Sequence, residues 1–261
     1  MILKVKYNMN KRIIYLLLLM AMPFTALCNN IAGTQFLKAN EFYKKANYKE
    51  AAAIYQQMAN GGYQSSPLYY NLGNAYYKTG DIALAILYYE KAKKLNPGDE
   101  DINSNIQLAN LKTTDKTEEI PEFFISKWWH AIILAFSVNT LALFSVVFIL
   151  AAFLILILYR FSNAIVVKKV SFYAAMVLLL LGICTILIAN RQVKYFEAHH
   201  QAIVFNSTVT IKSAPSNSSK NLFVLHEGSK VNILDKSGNW AKISLANGTE
   251  GWIGSADIRE I

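Results

Sequence analysis

Cysteine is nearly absent from this 261-residue chain, with only Cys28 and Cys184 present. The first closes a leader-like segment and the second lies inside a long apolar run, so no internal disulfide can staple an exported module. No zinc site of ordinary cysteine spacing is available either. Histidine is as sparse: His199-His200 stand near Glu197 without further ligands at regular spacing, and His130 and His226 are isolated. A Gly-rich phosphate loop, a nucleophile elbow and an HExxH pattern are all missing. We therefore expect no catalytic residue, no metal, no cofactor and no enzymatic activity. Formal net charge is +9, but much of it sits in the leader, in a short central loop and beside apolar runs. No dense basic patch interleaves with aromatics elsewhere, so nucleic acid is not an expected partner.

Charge of either sign is missing from residues 141–159 and 170–190. Each stretch is about long enough to cross a hydrocarbon core of roughly 30 Å as a helix. Helices buried in a soluble domain rarely run so far without a charge or an amphipathic break. The mean hydropathy of +0.24 reflects these runs rather than one large core. The charge-free region begins earlier, at Trp128, and as one helix to Tyr159 it would extend about 48 Å, too long for one bilayer. Ser137, Asn139 and Thr140 interrupt it. Residues 121–136, with Phe123, Phe124, Trp128 and Trp129, are therefore read as an interfacial segment, and the spans as 138–159 and 170–190.

Residues 1–28 carry Lys4, Lys6, Lys11 and Arg12 ahead of an apolar run and Pro23, the build of a secretory signal peptide. Cleavage after Cys28 would place small residues, Ala26 and Cys28, where the peptidase needs them. Leu27 speaks against a lipoprotein, and an uncleaved anchor gives the same topology. The loop 160–169 holds Arg160, Lys168 and Lys169 and no acid, as expected of a cytoplasmic loop. Arg191 and Lys194 beyond the second span are a mild contrary signal. The expectation is a two-pass protein of the inner membrane with both terminal modules in the periplasm.

Between the leader and the first span, residues 66–99 read SPLYYNLGNAYYKTGDIALAILYYEKAKKLNPGD. Tyr69, Leu72, Gly73, Tyr76, Ala85, Tyr89, Ala92 and Pro97 occupy the large, small and terminating positions of a tetratricopeptide repeat, which this segment resembles. Gly73 and Ala85 let two helices cross closely, and Pro97 ends the second. Stepping back 34 residues aligns Ala39, Phe42, Ala51 and Tyr55 with Gly73, Tyr76, Ala85 and Tyr89, so a diverged copy precedes it. Ile102, Ile106 and residues 108–111 add a capping helix with a polar face of Asn103, Asn105, Gln107 and Asn110, completing an all-α module over 34–112. The resemblance implies a concave partner-binding face presenting Asn40, Tyr43, Tyr70, Asn71, Asn74 and Tyr77. Asparagine both donates to and accepts from a peptide backbone, and tyrosine supplies area with a polar tip. The alternative is that these residues are merely solvated. Asn40 and Asn71 match asparagines of the carboxylate-binding groove in chaperone-adaptor relatives, but Phe36 stands where a groove lysine would, which speaks against capture of a terminal carboxylate.

From residue 201 to 261 the period becomes strand-like, with alternation at Val209 and Ile211, at Val231 and Ile233, and over 240–243. Turn signals fall at 214–216, 227–228, 237–239 and 247–248. Five or six short strands are expected, forming an all-β small barrel. Ser-Ala-Pro at 213–215, Gly228, the Gly-Asn-Trp ending at Trp240, and Gly251-Trp252-Ile253 resemble the bacterial SH3-like family. That resemblance implies that Trp240 and Trp252 combine core packing with the edge of a ligand groove, and that peptidoglycan or a peptide is the ligand. Packing alone explains them equally well.

The order of signal, repeats, two spans and SH3-like barrel resembles the BatE family of the Bacteroides aerotolerance operon. The resemblance implies an inner-membrane protein acting beside von Willebrand factor A-type membrane proteins and a MoxR-type ATPase in tolerance of oxygen or envelope stress. The expected function is a non-catalytic scaffold that binds protein partners through its periplasmic repeats. A cell-wall sensor whose barrel binds peptidoglycan is the alternative.

Overall fold

The computed structural model describes residues 31–116 and 123–261. The leader 1–28 with Cys28, and Glu118, Glu119, Pro121 and Glu122 before the first apolar helix, lie outside the described residues. The chain divides into two units, 1–34 and 35–261; apart from the first turn of the leading helix, the description below concerns the second.

Helices α1 (Ile31–Lys44) and α2 (Tyr48–Asn60) form one helix–turn–helix unit, and α3 (Ser66–Thr79) and α4 (Ile82–Leu95) another, followed by α5 (Glu100–Asn110). Capping residues set these boundaries. Ser65 Oγ accepts the Leu68 N–H at 3.3 Å, and Pro67 occupies the first turn of α3, where a missing N–H costs nothing. Gly80 closes α3 at φ 92°, a left-handed position where its N–H reaches back to the carbonyls of Tyr76 and Tyr77. The Asp99 carboxylate accepts the N–H groups of Asp101 and Ile102 and so starts α5. Leu68, Leu72 and Ala75 recur at helical spacing and are buried with Ile86, Tyr89 and Ala92 of α4. Gly73 sits where these helices cross: a Cβ there would lie 2.6 Å from Tyr89 Cδ1.

A short helix α6 (Phe124–Ile133) leads into α7 (Val138–Phe161), which Ser137 caps by accepting the Thr140 N–H. Helix α8 (Ile165–Ala198) returns. The connection 162–164 is shorter than the ten-residue loop expected, because nothing between Ile165 and Val170 breaks a helix and lysine favours one. Both α7 and α8 are long and apolar enough to cross a membrane, with mean hydropathies of 3.2 and 2.6. They meet along small residues, Ser145 and Ala152 on one side, Ser171, Ala175 and Gly182 on the other. Their outer faces stay open: only 17% and 11% of the two apolar windows are buried.

The C-terminal module is one antiparallel sheet of seven strands, β1 (Gln201–Val204), β2 (Thr208–Lys212), β3 (Asn221–His226), β4 (Lys230–Ser237), β5 (Trp240–Ser244), β6 (Glu250–Gly254) and β7 (Ile258–Glu260), in the order β3-β2-β6-β5-β4-β1-β7. The five or six strands expected miss at least one, because β7 is only three residues long and is recognisable only through its pairing with β1. Turns at Gly228, Gly238 and Gly248 carry φ of 84°, 57° and 81°, which glycine adopts without strain. Alternating Val209, Ile211, Ile243 and Ile253 fill an aliphatic core. Trp240 and Trp252 belong to the opposite face. In register, Lys242 faces Trp252 and Trp240 faces Gly254, while Ala241, Ile243, Gly251 and Ile253 point inward. The core role expected for the two tryptophans is thus corrected by strand parity.

Candidate functional site

One cavity of about 320 Å³ opens on the repeat module, lined by Tyr43 of α1, Tyr70, Asn74, Tyr77 and Lys78 of α3, Tyr89 of α4, and Asn105 and Leu108 of α5. Four residues expected in a groove, Tyr43, Tyr70, Asn74 and Tyr77, come together here. Asn40 and Asn71 do not line it. Tyr55 donates its hydroxyl to Asn40 Oδ1 at 2.5 Å, and Asn71 Nδ2 donates to the same oxygen at 3.1 Å. Those two amides tie α1 to α2 and α3.

Asn74 has its own internal work. Its Oδ1 accepts from Tyr89 Oη at 2.8 Å and from Asn105 Nδ2 at 2.9 Å, and Asn105 Nδ2 also donates to Tyr70 Oη at 3.1 Å. Part of the bonding capacity of these amides therefore holds the tyrosines in place, beyond the peptide contact or plain solvation expected of them. Burial leaves the buried phenols few partners, and this network supplies one. Asn74 Nδ2 and Asn105 Oδ1 carry no hydrogen bond among the described residues, so the amides of this lining keep donor and acceptor capacity, the set a peptide unit needs.

Burial pushes the Tyr89 phenol well above its ordinary value, and burial with neighbouring Tyr48 and Tyr70 pushes Tyr43 up. The groove is thus neutral at its centre. Its rim is basic: Lys78 lines it, and Lys112 Nζ lies 4.1 Å from the centre of the Tyr77 ring. Repeat spacing alone does not assign Tyr89, Asn105, Lys78 and Leu108 to this face. Tyr89 was legible only as a packing residue and Asn105 as part of a cap; α5 closing over α3 gives them the second role.

The barrel braces the back of this groove. Asp115, just past α5, accepts the His226 N–H at 2.6 Å, faces His226 Nδ1 at 2.8 Å and accepts Ser229 Oγ at 2.6 Å. His226, isolated in sequence, therefore has a carboxylate partner. Lys230 pairs with Glu90 of α4 at 2.9 Å, where Glu90 is 6% exposed. Gly228 fits the contact closely, since a Cβ there would lie 2.7 Å from Thr113 Cγ2.

Burial pushes the Asp115 carboxyl up, but hydrogen bonds from Ser229 and His226 outweigh it and hold it below its ordinary value of 3.8. A depressed carboxylate stabilises the fold above its unfolded value, and that contribution is lost as pH falls through the folded value. We expect the thermal midpoint to fall from pH 5 towards pH 3 more steeply in the wild type than in Asp115→Asn. Parallel curves for the two proteins would show that Asp115 is not the titrating brace.

Residues 66–99 match the tetratricopeptide repeat family, and residues 207–259 match the bacterial SH3 domain family. No curated protein matches the chain. The chain thus joins a helical module containing a tetratricopeptide repeat, two membrane-length helices and a bacterial SH3 domain.

Proposed function

We propose that this protein is a non-catalytic, membrane-anchored scaffold that docks a protein partner in the groove of its repeats. The observation that carries this reading is the α1–α3–α5 cavity, where neutral aromatics surround amides that keep donor and acceptor capacity. Tetratricopeptide repeats are protein-interaction modules, and an uncharged centre with a basic rim suits an extended peptide flanked by acidic residues. Anchoring is supported by the open apolar faces of α7 and α8, since a core helix of a soluble domain would be largely covered. With Arg160, Lys168 and Lys169, the basic residues that flank the short connection, facing the cytoplasm, both modules lie in the periplasm. The order of modules resembles BatE proteins, which makes von Willebrand factor A-type membrane proteins of that operon the leading partners and aerotolerance or envelope stress the setting.

Leu108 is 50% exposed, so it does not hold the module together. Leu108→Glu should abolish recovery of the partner after crosslinking in cells and affinity purification, with the thermal midpoint unchanged. Full recovery from the variant would remove the groove from the account.

A second reading has its own observation. Trp240 and Trp252 are partly buried on the outer face of the barrel, with Lys212 and Lys242 beside Trp252 in register. Bacterial SH3 domains are associated with peptidoglycan, and indole faces stack on sugar rings. Sedimentation of the full-length protein with purified cell wall, lost on Trp252→Ala, would favour this cell-wall sensor.

A further inference from the structure

A larger cavity, about 600 Å³, lies where four parts of the chain meet: α4 and α5 of the repeats, α6, the end of α8, and the barrel. Its repeat side carries Lys93, Lys94, Gln107 and Asn110; its barrel side carries Lys230 and Asn232. The one carboxylate side chain in the lining is Glu90, already paired with Lys230 at 2.9 Å. Lys94 Nζ donates at 3.2 Å to a main-chain oxygen of Ile261, the final residue, and Lys93 has no carboxylate partner among the described residues. Among its side chains the lining thus sets three lysines against one carboxylate and is rich in amide donors.

The remaining wall is aromatic and belongs to the apolar helices. His130 and Leu134 come from α6 and its end, Tyr195, Phe196 and His199 from α8 and the residue after it. Tyr195 lies with ring centres 5.2 Å from His130 and 4.3 Å from His199. Helix α6 has two faces. Phe124, Ile125, Trp128, Trp129 and Ile132 are exposed on one, while His130 turns to the cavity on the other. Aromatic residues of this kind settle at headgroup depth, which sets the cavity at the same depth. Arg191 and Lys194, exposed within one turn of Tyr195, add positive charge beside it.

We propose that this cavity binds the phosphate-bearing headgroup of an anionic amphiphile, with Lys93 and Lys94 meeting the phosphate and the hydrocarbon chains lying along the apolar surface of α6 and α8. The site rests on the membrane-anchored reading but not on partner docking in the repeat groove. Lysine serves a phosphate as a mobile point charge, and the amides supply neutral hydrogen bonds to its glycerol or ester oxygens. A lipid held there would bridge the repeats, the barrel and the spans.

The test uses the full chain in a neutral sugar detergent. Its thermal midpoint is followed while short-chain phosphatidylglycerol, short-chain phosphatidylcholine or inorganic phosphate is added. Phosphatidylglycerol should raise the midpoint by several degrees. Its apparent affinity should fall about tenfold or more in Lys93→Gln/Lys94→Gln. Lys44→Gln/Lys45→Gln, at and just past the end of α1, should behave as wild type. An equal rise with phosphatidylcholine, the full rise with phosphate alone, or an unchanged affinity in the Lys93/Lys94 variant would overturn the proposal. Retention of the chain in alkali-washed membranes is scored separately. Release there defeats the anchored reading, whereas a retained chain without the lipid response defeats only the site.

Discussion

Gly73→Val should destabilise the repeat module by about 2–4 kcal/mol, seen as a loss of helical signal at lower urea or lower temperature. A glycine inside a helix ordinarily costs about 1 kcal/mol relative to alanine, so added side chain alone would stabilise. Packing reverses the sign. The first added carbon would lie 2.6 and 2.7 Å from Tyr89 Cδ1 and Cε1, and Tyr89 is 1% exposed with its hydroxyl held by Asn74. The ring has nowhere to go without breaking that bond and displacing its neighbours, and overpacking of this kind costs about 1–3 kcal/mol before the lost hydrogen bond is added. Because Tyr89 also lines the groove, the variant should lose its partner as well. An unchanged midpoint would mean that α3 and α4 do not cross at Gly73.

Asp115→Ala should free the barrel from the repeats at a cost of about 2–4 kcal/mol. The carboxylate answers three donors, and one of them belongs to Ser229, which is 6% exposed. Removing the acceptor leaves those donors unsatisfied in a partly buried place, which is why the cost exceeds that of an ordinary exposed pair. Lys236→Ala is the contrast. Its partner is Glu260, the two side chains are 55% and 54% exposed, and water replaces the interaction with a loss of about 0–1 kcal/mol. Hydrogen exchange reads the difference directly. The His226 amide should exchange faster in Asp115→Ala and at the wild-type rate in Lys236→Ala, and equal rates would show that Asp115 is not a brace.

The comparison between chain and structure divides along the range of the interactions. Residues whose role depends on near neighbours were legible. Pro97 marks the end of α4 through local backbone chemistry, and the repeat positions of Leu72, Gly73, Ala85 and Tyr89 mark the buried crossing of α3 and α4. Alternation did the same for Val209 and Ile211. Contacts across the chain were not legible. Asp115 and His226 are 111 residues apart, and no local pattern distinguishes them from other surface groups. The groove lay between these cases. Its tyrosines follow from repeat geometry, but the spending of Asn40, Asn71 and Asn74 on internal hydrogen bonds depends on where Tyr55, Tyr89 and Asn105 come to rest. Family resemblance also misdirected one point, since it placed Trp240 and Trp252 partly in a core that this barrel fills with isoleucine, valine, leucine and alanine.

Docking in the repeat groove of a membrane-anchored chain is tested most directly by a photo-crosslinking amino acid placed singly at Leu108, on the groove, and at Gln57, exposed on α2. Irradiation of living cells should join position 108 to a von Willebrand factor A-type membrane protein and leave position 57 without that adduct. Adducts of equal yield at both positions, or at 57 alone, would contradict the account.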